Sequence, residues 1–105
     1  MSAYFIAHRR KITDPETLKD YNAGVDRTIR AFGGEVIVRE DSFDVLEGEW
    51  EPGRNREDSR PERITIIRFP DRDALKAWYE SEDYGRLKKI RLSSSSSDAV
   101  AVEGL

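Results

Sequence analysis

Cysteine is absent from this chain of 105 residues, which excludes a disulfide framework, a thiol nucleophile, a redox dithiol and a zinc–thiolate centre. Histidine occurs once, at His8, so no histidine cluster built by a single chain can hold a metal. Neither a metal nor a cofactor is expected. No apolar run approaches the length that spans a bilayer. The opening residues, MSAYFIAHRRK, put charge after the apolar stretch, the reverse of a secretory signal. A basic excess is lacking as well. Eighteen basic and 21 acidic residues leave a net charge of −3, which argues against a general partner for nucleic acid or an anionic membrane. A G-x-S-x-G elbow, a P-loop, a dinucleotide fingerprint and carboxylates paired at catalytic spacing are all missing. The expectation is one cytoplasmic domain over residues 1–105.

Charge is abundant, at 37% of residues, and matches the apolar share of 37%. The core is therefore small, and a chain of this length buries only roughly 60–70% of its surface alone. Tyr4-Phe5-Ile6-Ala7 reads as a strand covered on both faces. Asp14, Pro15, Glu16 and Asp20 carry the cap, first-turn proline and acidic charge of a helix start. Leu18, Tyr21, Val25, Ile29 and Phe32 then recur at steps of three and four, and Gly33-Gly34 ends the helix. Glu35 to Glu40 alternates as a strand, with Val36 and Val38 on one face and Ile37 and Arg39 on the other. FDVLEGEW, ending at Trp50, is read as a second extended piece that closes a hairpin with it. Residues 51–62 contain two prolines, a glycine and mixed charge, the composition of a solvated, mobile loop.

Arg63 to Phe69 is the clearest strand, and Pro70 stops it. Asp71 caps a helix carrying Ala74, Leu75, Trp78 and Tyr79, and Ser81 reads as a fresh cap that breaks and restarts it. The second piece runs through Tyr84, Leu87 and Ile90, with Lys88, Lys89 and Arg91 at its negative end. Ser93 to Ser97 reads as a flexible connector before a last strand in DAVAVEGL. The order implies α+β architecture: a ferredoxin-like β-α-β-β-α-β sandwich.

In such a fold both helices cover one face of the sheet, and the alternation of the central strand describes the other. Ile64, Ile66 and Arg68 share that open face. Burying two isoleucines is worth about 3–6 kcal/mol, so a face-to-face homodimer through Ile64 and Ile66 is the expected partner. RITIIRFPDRDALKAW resembles the third strand and following helix of an RNA-recognition motif, but that module stacks bases on aromatic side chains where this chain has isoleucine. Nucleic acid and membrane are not expected partners.

GGEVIVRE, VLEGEW, RFPDRDALKAWYESEDYGRLKKIR and the closing VEGL resemble, over nearly the whole chain, the family called domain of unknown function 1330. That resemblance implies membership of the dimeric α+β barrel superfamily, in which two ferredoxin-like sheets pack face to face. It places a small organic ligand between helices and sheet, with cofactor-independent enzymatic activity as one reading and a non-catalytic binding or interaction module as the alternative. Among individual residues, His8 is the candidate general base, weighed against a solvated strand end. Arg39, Arg68 and Arg91 suit a carboxylate or phosphate, weighed against ion pairs with Glu47, Glu49 or Glu103. Trp78, Tyr79 and Tyr84, at the helix break, suit either a core or an apolar pocket wall with polar tips. Glu47 and Trp50 lie where a strand meets a loop, a common place for a pocket rim.

Overall fold

The computed structural model describes residues 1–41, 43–48 and 62–105. Strand β1 runs Ala3–Ile12, helix α1 Pro15–Ala31, strand β2 Glu35–Glu40 and strand β3 Arg63–Phe69. Helices α2 (Arg72–Glu80) and α3 (Glu82–Ser94) follow, and strand β4 (Ser95–Glu103) completes one sheet in the order β2-β3-β1-β4. Every neighbouring pair is antiparallel. With three helices packed on it, this is the ferredoxin-like α+β arrangement. No described helix is long and apolar enough to cross a membrane.

The helix boundaries follow from local chemistry. Asp14 caps α1 by accepting from the Thr17 amide at 3.2 Å and the Thr17 hydroxyl at 2.6 Å, bonds that hold its carboxyl below the usual carboxylate range. Leu18, Val25 and Ile29 are buried along one stripe of α1. The helix ends where Gly33 takes a φ of +77°, a left-handed conformation that glycine adopts without strain. Ser81 is the expected break, accepting from the Tyr84 amide at 3.2 Å to start α3. Buried Trp78 sits at the centre of the core, with ring centroids 5.2 Å from Phe5, 5.3 Å from Phe69 and 4.0 Å from Tyr84.

Register fixes the two faces of the sheet. Phe5 opposes Ile67, and both are buried under the helices. Ile6 opposes Ile66 and His8 opposes Ile64 on the other face, which Val100 and Val102 of β4 extend beside Ile6 and Tyr4. No described helix covers this side.

Three expectations are corrected. Val36 and Val38 do not share a face: the register slips at Ile37, so Val36 opposes Ile67 while Val38 opposes Ile66. The extra residue turns Arg39 to the helix side, opposite Thr65. The hairpin of β2 with FDVLEGEW is not formed by the described residues: β2 pairs with β3, and residues 43–48 have no strand structure. The serine run is not a flexible connector. Ser93 and Ser94 end α3, and Ser95 to Ser97 open β4. Their hydroxyls bond back to the last helical carbonyls, Ser94 to Ile90 at 2.5 Å and Ser95 to Arg91 at 2.7 Å. The expected loop lies almost wholly outside the described residues, as does Trp50.

Candidate functional site

Between α1, α3 and the sheet lies a cavity of about 70 Å³. Its floor is apolar, made by Phe5, Ala7 and Ile67 from the strands and Leu18, Val25 and Ile29 from α1. Its polar wall holds four arginines, Arg9, Arg39, Arg63 and Arg91, with Tyr21, Thr65 and Ser97 between them. Among the described residues no carboxylate lines it.

The strands bring three of these cations together. Arg9 continues the inward alternation of Phe5 and Ala7, and Arg63 that of Thr65 and Ile67. Arg9 and Arg63 stand directly opposite each other in the β1–β3 ladder, where like charges repel. The bulge at Ile37 adds Arg39 from β2. Arg63 and Arg39 hold described carboxylates. Arg63 grips Asp41 with two bonds, 2.5 Å from Nε and 3.0 Å from Nη2, and this holds the Asp41 carboxyl below its ordinary value. Arg39 donates to Asp26 at 2.8 Å. The fourth arginine comes from α3, whose inward positions Tyr84, Leu87, Arg91 and Ser94 follow helical spacing but are mostly polar.

Arg91 is only 9% exposed. Its Nη1 donates to the Ser97 hydroxyl at 2.9 Å, and its Nε is buried without a hydrogen-bond partner. Of the ion pairs expected for the three candidate arginines, those with Glu47 and Glu103 are corrected: Arg39 pairs with Asp26, Arg68 with Glu35, and Arg91 with no acid among the described residues, while Glu49 lies outside them. Glu103 is instead 3.5 Å from Arg72.

Two phenols sit beside Arg91. The Tyr21 and Tyr84 hydroxyls are 3.2 Å apart. Burial, together with the neighbouring Tyr84, pushes the Tyr21 phenol far up. Burial also raises Tyr84, against the opposing pull of the Arg91 charge. Both are neutral hydroxyls at ordinary pH, and a neutral phenol can donate a hydrogen bond to an anion.

The structure brings Arg39 and Arg91 to this cavity, with Tyr84 bonded to its wall, and places the other described candidates elsewhere; Trp50 lies outside the described residues. Trp78 is a core residue with no exposed surface; its indole N–H donates to the Thr28 hydroxyl at 3.1 Å, which donates in turn to the Val25 carbonyl. Tyr79 faces a separate groove beside Leu75 and Ala99, with the Lys88 ammonium 4.1 Å from its ring centroid. His8 stands on the opposite face of the sheet, 3.1 Å from a Glu62 carboxylate oxygen and edge-on to Phe43. Arg68 also faces that side, and Glu47 is exposed. Sequence reasoning missed Arg9, Arg63, Tyr21 and Ser97. The available signal was parity: each arginine is in phase with buried residues of its own strand.

This fold and cavity define a small α+β protein of the ferredoxin-like class. The model of the family described as domain of unknown function (DUF1330) matches residues 2–105, and the chain belongs to that family. No curated protein matches it. Among solved structures, it resembles a protein of unknown function from Rhodopseudomonas palustris at a TM-score of 0.74 and 15% identity, over 99% of this chain and 82% of that one. A dimeric ferredoxin-like protein of unknown function from Jannaschia sp. CCS1 gives 0.67 and 14%, over 99% and 100%. The cofactor-independent oxygenase SnoaB from Streptomyces nogalater gives 0.65 and 12%, over 99% and 93%. At these identities the likeness concerns the fold.

Proposed function

We propose that this chain is a single-domain cytoplasmic protein that pairs with a second copy through the open sheet face, as a dimeric α+β barrel, and binds a small organic molecule between α1, α3 and the sheet. The observation that carries the ligand reading is the cavity itself, with hydrocarbon on its floor and guanidinium groups and hydroxyls on its wall, the usual composition of a small-molecule site. The dimer reading rests on the aliphatic face formed by Ile6, Val38, Ile64, Ile66, Val100 and Val102, a patch of the kind that marks an interaction surface. The dimeric state of the Jannaschia protein supports it. The cytoplasmic assignment rests on composition alone.

Binding without chemistry is the reading the wall favours, because the ionisable groups among its described lining residues are arginines and a phenol that burial keeps neutral, a poor set for moving protons near neutral pH. A cofactor-independent reaction is the second reading. It is supported by Tyr21 beside Arg91, since a hydroxyl and a cation together stabilise developing negative charge on oxygen. Sedimentation at micromolar concentration tests the dimer, with a particle of twice the chain mass expected and a single-chain particle refuting it. Loss of binding on filling the cavity floor with Ala7→Phe tests the ligand site, with circular dichroism as the check on folding. Unchanged binding by the folded variant would refute it.

A further inference from the structure

We infer that the ligand of this cavity is a small monocarboxylate, its carboxylate on Arg91 and Tyr21 and its hydrocarbon body on the floor. This rests on the ligand-site reading above and specifies its chemistry.

Charge supplies the first argument. The chain carries a net −3, yet the cavity wall gathers four guanidinium groups and no described carboxylate. Arg39 and Arg63 already hold Asp26 and Asp41. Arg91 is the most buried of the four, holds no acid among the described residues, and leaves its Nε unbonded inside the protein. A buried charge lacking a counter-ion is costly, and an incoming carboxylate supplies one, because its two oxygens match the fork of a guanidinium.

The phenol is the second argument. Tyr21 lines the same cavity as Arg91 and Arg39. Its hydroxyl shares a hydrogen bond with Tyr84 in which either oxygen can donate, so with Tyr84 donating, the neutral Tyr21 hydroxyl can turn its proton to an oxyanion without repelling it.

Shape separates a carboxylate from a free inorganic anion. Phe5, Ala7, Leu18, Val25, Ile29 and Ile67 form the floor, which phosphate or sulfate would leave unfilled. The volume of about 70 Å³ is roughly half the ~150 Å³ of an engineered apolar cavity that admits benzene, so the hydrocarbon body is short, of a branched-chain size.

The test compares isobutyrate with isobutyramide, which has nearly the same shape and no charge, and with inorganic phosphate, on the intact protein in one buffer. Binding is followed by amide shifts and by the Arg91 Nε–H resonance. Isobutyrate is expected to bind about tenfold or more tightly than the amide, the usual weight of a charge-assisted bond, and to move the Arg91 Nε–H signal. Arg91→Gln is expected to bring acid and amide to equal affinity. Equal binding of acid and amide by the unaltered protein would overturn the anion inference and leave the ligand site standing. Phosphate that binds as tightly as isobutyrate would overturn the role of the hydrocarbon floor. Failure of all three to shift any cavity residue would overturn the inference, whereas the ligand site itself answers to the Ala7→Phe test.

Discussion

The raised phenols give this protein a specific sensitivity to alkali. An ordinary tyrosine ionises near 10.0, and burial drives Tyr21 far above that value. The unfolded chain therefore releases this proton above pH 10, while the folded chain retains it. Because the folded state binds more protons, stability is complete well below pH 10 and falls as pH rises through and beyond it. The free energy gained by an unfolded phenol of ordinary pKa grows from about 0.4 kcal/mol at pH 10 to about 1.4 kcal/mol at pH 11. Tyr21 thus removes about 1 kcal/mol of stability over that unit, and Tyr84, shifted the same way, adds to the loss. Urea unfolding followed by circular dichroism at pH 9, 10 and 11 measures the decline. Tyr21→Phe should reduce the loss between pH 10 and 11 by about 1 kcal/mol, whatever its effect at pH 9. If the variant declines as steeply as the unaltered protein, the phenol is not held neutral by the fold, and its assignment as a hydrogen-bond donor is wrong.

Other perturbations probe the frame around the site. A Cβ added at Gly34 would come within 2.6 Å of the Phe69 ring and 2.8 Å of Ile29, so Gly34→Ala should cost about 1–3 kcal/mol in urea unfolding through overpacking. Asp71 accepts from the Ala74 amide at 2.8 Å; Asp71→Ala should cost about 1 kcal/mol in the same assay, and Asp71→Asn only a small part of it. Ile66→Asp places a charge at the middle of the open face, and sedimentation should then find a folded single chain. A variant that sediments like the unaltered protein would remove that face from the interface.

Much of this architecture is legible along the chain, because contiguous residues carry it. The stripe from Leu18 to Ile29, the caps at Asp14, Asp71 and Ser81, and the alternation of Arg63 to Phe69 each depend on neighbours within one element, and each appears in the structure. Composition misled at the serines. A run of small polar residues suggests a linker, but hydroxyls that bond to Ile90 and Arg91 let it end a helix and begin a strand. The site was harder to read. Arg39 and Arg91 were candidates for anion binding, while Tyr21 passed for another core residue on its helix.

The linear order of residues determined most of the helices and strands, the serine run and FDVLEGEW excepted, and which face of β3 is aliphatic, since periodicity and caps act over a few positions. Only the tertiary structure decided which charges meet. One extra residue at Ile37 turns Arg39 inward, the β1–β3 register sets Arg9 against Arg63, and the packing of α3 beside α1 buries Arg91 near Tyr21. Those pairings join positions far apart in the chain. Their energies depend on burial and distance, which no local pattern encodes.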